Sequence, residues 1–421
     1  MCSSDLLTED LGYALPAPAT EAGRSLIEQL RHLCLDRIDR KYSFAQRERA
    51  IARLEQELHL IEVNGLAGFF LVYHEVMRLA TVVAEEVRGP SRARSVSELP
   101  PGRGRGSSVA SIVCYLIGLS HIDPIRNRLS VDRFLNEQML SLPDIDLDFP
   151  RDIRERLIER VYQHWGRDHA ALVAIFPTYR IRSAVRDIGR ALGLAETEVD
   201  RIAKRAEPYD RATQMREEVE RLRGVADMTS TYVSDEDRAW ETLSEMAHQM
   251  AGFPRHLSQH VGGMVISSEP LIDCVPCQPA RWPKRYLAHW DKDSIDDARM
   301  VKIDFLGLGM LSVVEECVDL IDRHSDKTID LSRIDIADPV IYDEICHGDT
   351  VGVFQIESRA QVAMLPRTQP RSLDDLTIQV SIVRPGPIVG GAVNPYVRRR
   401  EARRQDPNAP IAMPACVRDV L

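Results

Sequence analysis

The spacing of apolar residues divides the chain into long helical stretches. From about residue 21 to 86, apolar side chains recur every three or four positions, as at Leu26 and Leu30, and the charged stretches 151–165 and 180–255 show the same spacing. This period gathers the apolar residues on one face of a helix. The pattern predicts that most of the chain is helical.

Three short segments show the pattern of strands instead. Apolar and acidic residues alternate over residues 140–149, and segments 263–267 and 300–305 are rich in apolar residues. Residues 89–106 hold several glycines and prolines among Arg and Ser, which predicts a loop, and a helix is expected over residues 108–115. Together these elements predict an α+β fold.

The composition is that of an ordinary globular protein. The chain has 421 residues, 44% of them hydrophobic and 28% charged, which allows about two to four domains. Its formal net charge is -10. This charge does not exclude nucleic acid as a partner, because such an enzyme needs its Lys and Arg gathered on one surface, not in excess overall.

The cysteines and the N-terminus bear on the compartment. Eight cysteines are scattered mostly singly, which suits a reducing compartment, and the close pair Cys274 and Cys277 lacks the second pair that a zinc site needs. The N-terminus does not resemble a signal peptide, and the longest apolar stretch, Leu66–Val72, falls short of the ~20 residues that cross a bilayer. We expect a cytoplasmic protein with no membrane contact.

The segment 143–149 alternates aspartates with bulky apolar residues. On a strand, Asp144, Asp146 and Asp148 share one face, and the apolar residues between them face a core. Carboxylates this close together are costly unless cations such as Mg²⁺ neutralise them. A divalent-metal site is therefore predicted. An exposed acidic strand remains open as the alternative, and the regular alternation argues against a calcium loop.

A second strand-like segment, 301–307, places Lys302 and Asp304 on one face. Alone, such a pair is usually a solvated edge pair. Beside the first strand it would add a third carboxylate and a cation for a triphosphate, and two-metal phosphoryl transfer needs this set.

The segment 104–108, Gly-Arg-Gly-Ser-Ser, opens the helix that is expected next. Backbone N–H groups at the start of a helix bind phosphate, and glycines allow a close approach. Alone, a segment of this kind is more often a plain linker.

Six segments in order resemble the bacterial C-family DNA polymerases, whose type is the DNA polymerase III alpha subunit. The resemblance extends over nearly the whole chain from about residue 20. In the palm of that family the matching segments are Gly104–Ser107, Arg133–Asn136, Pro143–Asp146 and Lys302–Gly307, and in its fingers they are Gly348–Arg359 and Arg384–Pro387.

The resemblance implies template-directed addition of deoxynucleoside triphosphates to a primer 3′-hydroxyl. Asp144, Asp146 and Asp304 would be the catalytic carboxylates and would bind two Mg²⁺ ions, for which Mn²⁺ can substitute. The role of Asp148 stays open. The residues expected to bind the nucleotide are Gly106, Ser107, Arg133, Lys302 and Arg384.

Two groups of arginines are candidates for contacts with primer–template DNA. The first repeats every four residues along one face of a helix, with a solvated, ion-paired face as the alternative. The second lies in the densest basic cluster of the chain. The candidates are Arg182, Arg186 and Arg190 in the first group, and Arg398, Arg399 and Arg400 in the second.

The resemblance also implies a domain organisation and further partners. The sliding clamp and other polymerase factors would bind through regions absent here, and the PHP domain that precedes the palm in the family would also be missing. We therefore expect a fragment. Its parts would be a linker or domain end (1–20), the first part of the palm (21–175), a helical thumb (176–255), the second part of the palm (256–310) and partial fingers (311–421).

Within the family, segments 253–263 and 290–293 look more like the error-prone, damage-tolerant branch, which acts in DNA repair and translesion synthesis. His256 and His260 in the first segment are interpreted as structural or close to DNA, not as metal ligands. A DNA-binding but catalytically silent fragment is the main alternative function. A nuclease that uses the same carboxylates is weaker, because nothing supplies the base that would activate its nucleophile.

Overall fold

The computed structural model describes residues 16, 23–89, 99–136, 143, 145–205, 235–298, 300–325, 329 and 335–407. The chain divides into two compact units, Met1–Glu315 and Glu316–Leu421. The described helices of the first unit are α1 (Leu26–Lys41), α2 (Phe44–Val63), α3 (Ala67–Arg88), α4 (Ile112–Leu116), α5 (Arg151–Trp165), α6 (Ile181–Ala191), α7 (Glu196–Arg205), α8 (Asp235–Met250) and α9 (Lys292–Asp297), and α10 (Gly309–His324) crosses the boundary.

Seven strands of the first unit form one mixed sheet, which confirms the α+β expectation. Its order is β1-β2-β7-β4-β3-β6-β5. The β2–β7 and β3–β6 pairs are parallel, and the other pairs are antiparallel. The strands are β1 (Arg103–Gly104), β2 (Asp146–Pro150), β3 (Ala170–Ile175), β4 (Ser258–Ile266), β5 (Cys277–Pro279), β6 (Tyr286–Ala288) and β7 (Lys302–Leu308).

One face of the sheet is buried beneath helices. Leu147 and Phe149 of β2 and Ile303 and Phe305 of β7 belong to the main core together with residues of α3 and α5. Phe149 and Phe305, from the two strands, stack with ring centroids 5.8 Å apart. Among the described residues, α3 is long and apolar enough to cross a membrane, but 67% of its most apolar stretch is buried inside the protein, as in a core helix.

Helices α6, α7 and α8 form an insertion with a core of its own between β3 and β4. Ile188, Ile202 and Leu243, one from each helix, are buried in this core. The two ends of the insertion meet at a bridge between Thr178 and Pro254. The insertion therefore departs from the sheet and returns to it at one narrow neck.

The described part of the second unit is helical and has a small core. Its helices are α11 (Pro339–His347), α12 (Arg359–Thr368), α13 (Leu373–Ile382), α14 (Pro385–Val389) and α15 (Val393–Gln405). Tyr342, Ile345, Ile356 and Leu365 form the buried cluster.

The prediction of a helix over residues 108–115 is wrong at the N-terminal end. A 3-10 turn covers Gly106–Ala110, and α4 begins only at Ile112. The reason is Ser111, which has an extended backbone (φ -89, ψ 130) and caps α4 by accepting a hydrogen bond from the N–H of Cys114. The residues of the glycine-rich segment are therefore held in a turn ahead of a new helix.

A buried carboxylate anchors this turn to the helices. Glu57 of α2 is fully buried and accepts hydrogen bonds from Ser111 Oγ (2.7 Å) and from the N–H groups of Ile112 (3.1 Å) and Val113 (3.2 Å). Arg53, one turn earlier on α2, donates to Glu57 from Nε at 2.8 Å. The Glu57 carboxylate thus accepts hydrogen bonds from the N–H groups at the start of α4 and also offsets the charge of Arg53.

We expect Glu57→Gln to lower the free energy of unfolding by about 3–5 kcal/mol, because it leaves the Arg53 guanidinium without its buried counter-charge. Urea unfolding followed by circular dichroism measures the change. Glu55→Gln is the matched control: Glu55 pairs with Arg31 on the surface, and its loss should cost less than about 1 kcal/mol. Equal losses in the two variants would contradict this account.

Candidate active site

The pairing of β2 with β7 places Asp146 and Asp304 on one face of the sheet, which we call the acidic face. The two strands are parallel, and Asp146 lies directly opposite Asp304. Neighbouring strands are about 4.8 Å apart, and opposite residues point to the same face. Two of the predicted catalytic carboxylates are therefore brought side by side. Asp144, the third, lies outside the described residues.

Asp304 is nearly buried, and its two oxygens differ. Lys302 Nζ forms an ion pair with Oδ2, and the Lys302 and Asp304 side chains are only 5% and 8% exposed. Oδ1 is buried and accepts no hydrogen bond from the described residues. A buried oxygen of a carboxylate without a donor is costly, and a cation is one partner that would relieve that cost.

His260 lies on the other side of Asp304. Its Nδ1 accepts hydrogen bonds from the N–H groups of Gly262 (3.2 Å) and Gly263 (2.6 Å) and is 3.7 Å from Asp304 Oδ1. Burial lowers the pKa of His260, and the nearby Asp304 partly opposes this shift. Because Nδ1 accepts, the neutral ring carries its proton on Nε2, and the contact with Oδ1 is not an ion pair.

Arg105 lies next to the carboxylates of β2. Its Nε is 3.3 Å from Asp146 Oδ2 and 3.7 Å from Asp148 Oδ2. Burial raises the pKa of Asp148, Arg105 lowers it, and Asp146 raises it further. Asp148 therefore belongs to the acidic face, where a cation from the glycine-rich segment already offsets part of the charge.

The glycine-rich segment is tied to this face through its backbone. The N–H of Arg105 donates to the carbonyl of Asp146 at 3.1 Å, and that of Gly104 donates to the carbonyl of Leu119 at 2.6 Å. Gly106 has a φ of +77, which favours glycine, and Ser107 is exposed. The segment thus runs beside the carboxylates with Arg105 and Ser107 open to solvent, whereas Ser108 is buried.

The other residues expected to bind nucleotide are less constrained. Arg133 is exposed in a turn, next to Phe134, which packs on Phe70 with ring centroids 6.2 Å apart. Arg384 is exposed and precedes α14 in the second unit. Their roles stay predictions.

The arginines expected to bind DNA fall into two classes. Arg186 pairs with Asp200 at 3.0 Å within the helical insertion, and Arg182 is also partnered. Arg400 donates to the carbonyl of Gln369 at 2.9 Å, and it pairs with Asp375 at 2.5 Å. Arg186 and Arg400 thus link helices within their own units. Those with exposed side chains are Arg190, Arg398 and Arg399.

The chemistry of the acidic face suits a hard divalent cation in part. Within the described ranges no group of three or more His, Cys, Asp or Glu could hold a metal ion. Asp146 and Asp304 nevertheless supply adjacent carboxylate oxygens, and the buried Oδ1 of Asp304 has no donor among the described residues. Mg²⁺ takes oxygen ligands, often only one or two carboxylates, and keeps several waters. The described residues fit such an ion.

Two residues of the site were not predicted from the sequence. The sequence pattern assigns no role to Arg105, although its position in the glycine-rich segment, next to the end of a strand, is a signal for one. His260 was interpreted as structural or close to DNA. The hydrogen bonds from Gly262 and Gly263 that place it depend on the tertiary fold, although the spacing His-x-Gly-Gly hints at them.

Two family models match successive parts of the chain. Residues 28–307 match the bacterial DNA polymerase III alpha NTPase domain, and residues 310–414 match the bacterial DNA polymerase III alpha subunit finger domain. Both matches follow the chain order of the motifs.

Similar proteins carry the name error-prone DNA polymerase. That of Anaeromyxobacter dehalogenans (strain 2CP-1) is 39% identical over 393 residues, which are 91% of this chain and 32% of the relative. That of Alkalilimnicola ehrlichii is 40% identical (93% and 36%), and that of Pseudomonas fluorescens is 38% identical (96% and 37%). The chain spans about a third of the length of these relatives. It belongs to the bacterial DNA polymerase III alpha family.

Proposed function

We propose that this chain is the catalytic part of an error-prone DNA polymerase, which adds deoxynucleoside triphosphates to a primer 3′-hydroxyl on a template strand. The observation that carries the proposal is the pairing of Asp146 with Asp304 at the centre of an acidic face, in a chain of the DNA polymerase III alpha family. Primer–template DNA and deoxynucleotides are the proposed partners, and the cytoplasm is the proposed compartment. The names of the relatives support the error-prone type. Roles in translesion synthesis and repair are part of the proposal.

In the proposed mechanism Asp144, Asp146 and Asp304 hold two Mg²⁺ ions. Ions held there would supply a Lewis acid for the primer 3′-hydroxyl and positive charge for the leaving pyrophosphate. Lys302 fixes the rotamer of Asp304 through Oδ2, which leaves Oδ1 directed away from the ion pair. Arg105 offsets the charge of the β2 carboxylates.

The triphosphate would lie along the glycine-rich segment. Gly106 and Ser107 would offer backbone N–H groups and a hydroxyl to its oxygens, with Lys302 and Arg133 supplying positive charge. A helical insertion with a separate core and a single narrow neck supports the assignment of residues 176–255 as the thumb. The sheet would be the palm, formed by residues 21–175 and 256–310, and the rest, 311–421, would belong to the fingers.

We expect Asp146→Asn and Asp304→Asn to slow nucleotide addition by about two to three orders of magnitude, as losing one electrostatic stabiliser of a transition state does. Affinity for primer–template DNA should stay within a few-fold, because it comes mainly from distributed Lys and Arg contacts. Single-turnover extension of a labelled primer measures the first quantity, and fluorescence anisotropy measures the second.

Asp297→Asn is the matched control, because this residue ends α9 and lies outside the acidic face. An Asp304→Asn variant that extends primers at the wild-type rate would contradict the assignment. A wild-type chain that binds primer–template DNA but adds no nucleotide with Mg²⁺ or Mn²⁺ would instead support the catalytically silent alternative.

Lys302→Ala should lower kcat/KM for the nucleotide roughly ten- to a hundredfold, the value of one hydrogen bond to a charged group. Its charge acts on Asp304 and on the nucleotide, so the dissociation constant for primer–template DNA should not change. Steady-state kinetics and anisotropy separate these effects. Lys284, an exposed lysine of the same unit, provides the control Lys284→Ala. An unchanged kcat/KM in Lys302→Ala would rule out this role.

Arg398 and Arg399 are expected to contact the DNA backbone, whereas Arg400 is held by its own helices. The double variant Arg398→Gln/Arg399→Gln should flatten the dependence of log K on log salt, by about 0.9 for each phosphate that the protein no longer neutralises. Arg400→Gln should leave that slope unchanged and lower stability instead. Anisotropy over a range of salt concentrations and thermal unfolding test the pair. If Arg400→Gln flattened the slope and the double variant lowered only the stability, the exposed arginines would not contact DNA.

A further inference from the structure

A bulge interrupts strand β4 beside the acidic face. Met264 lies opposite Leu172 on β3, and the next paired residue of β4, Gln259, lies opposite Ala174. Residues 260–263 of β4 therefore face the single residue that separates Leu172 from Ala174. Bulges of this kind occur next to active sites, where they redirect a side chain.

Two side chains satisfy the backbone groups that the bulge leaves unpaired. His260 Nδ1 accepts from the N–H groups of Gly262 and Gly263. Arg154 of α5 donates to the carbonyl of Phe305 from Nε at 2.7 Å and to the carbonyl of Val261 from its terminal nitrogen. The bulge is thus fixed from both sides, and Arg154 ties it to β7, the strand that carries Asp304.

The glycines of the bulge allow a very close approach of the two strands. A Cβ atom on Gly262 would lie 2.4 Å from the carbonyl oxygen of Phe305. A Cβ atom on Gly263 would lie 2.8 Å from His260 Nδ1 and 3.1 Å from Asp304 Oδ1. The imidazole and the carboxylate therefore meet across a space that no larger residue at position 263 would leave open.

The hydrogen bonds of His260 decide what it can offer to Asp304. Since Nδ1 accepts from two N–H groups, it has no proton to donate to Oδ1, which is 3.7 Å away. Lys302 takes the other oxygen, Oδ2. The imidazole thus restricts the position of the carboxylate without occupying Oδ1, which has no donor within the described ranges.

We propose that His260 is a positioning residue for the divalent cation site: by accepting the Gly262 and Gly263 N–H groups, it holds the bulge that keeps Asp304 Oδ1 ready to bind the ion. The inference rests on the proposed function, because it needs a cation at Asp304. It assigns to His260 a role through backbone and carboxylate geometry, not as a ligand. Groups that orient metal ligands in this way change metal affinity by about 10- to 100-fold when they are replaced.

The test is a Mn²⁺ titration of the full chain, followed by the electron paramagnetic resonance signal of free Mn²⁺. His260→Phe keeps a ring but removes the acceptor, and we expect its Mn²⁺ affinity to fall roughly tenfold. His260→Asn places an amide oxygen near the position of Nδ1 and should stay within about threefold of wild type, well short of that loss. His256→Phe is the matched control, because His256 is exposed, and it should bind as wild type does.

Asp304→Asn separates the two proposals. Mn²⁺ affinity that falls in Asp304→Asn but not in His260→Phe would overturn the role of His260 and leave the proposed function intact. Affinity unchanged in Asp304→Asn would overturn both. Equal losses in His260→Phe and His260→Asn would show that the acceptor is not the cause. If circular dichroism shows that His260→Phe does not fold, Gly263→Ala takes its place, because its methyl would separate the ring from the carboxylate. Lowered Mn²⁺ affinity in Gly263→Ala would support the proposal, and wild-type affinity would overturn it.

Discussion

The parallel pairing of β2 with β7 sets two like charges against each other, and the surrounding structure is arranged to make that pairing possible. Asp146 and Asp304 are direct neighbours across the sheet. On the opposite face, Phe149 and Phe305 of the same two strands stack within the main core, so the strands are fixed by apolar burial. Packing therefore keeps the two carboxylates close together although they repel each other.

Cations of the protein offset this repulsion only in part. Lys302 pairs with one oxygen of Asp304, and Arg105 approaches Asp146 and Asp148 at the longer distances of a weak ion pair. One buried oxygen of Asp304 accepts no hydrogen bond from the part of the chain that the structure describes. A site that is incompletely neutralised by its own side chains gains most from an added divalent ion. The negative charge that Lys302 and Arg105 leave uncompensated destabilises the free protein. In the proposed mechanism the same charge would bind the cation.

The alternation of apolar and polar residues was enough to predict much of this arrangement. The spacing of the aspartates in segment 143–149 places them on one face of a strand, and the same rule holds for Lys302 and Asp304. These rules depend only on local geometry. The adjacency of the two strands followed from the resemblance to the polymerase family and not from any local rule.

The residues that the sequence did not reveal act through tertiary contacts. Glu57 stabilises the start of α4 from a helix more than fifty positions earlier, and Arg400 lies in a basic cluster yet serves as a tie between helices. His260 reaches Asp304 only because a bulge shifts the register of β4. The residue type alone does not show whether a charged side chain binds DNA, forms an ion pair within the fold or caps a helix. Its role can be assigned only when its partners are known.

Anomalous diffraction can show whether the β2–β7 carboxylates form a divalent cation site. Crystals of the chain with primer–template DNA, a nucleotide and Mn²⁺ should show an anomalous peak about 2 Å from Asp304 Oδ1 and from a carboxylate oxygen of Asp146, the distance expected for a hard cation on oxygen. The peak should be absent in crystals of Asp304→Asn. A peak elsewhere in the chain, with none between the two strands, would contradict the account.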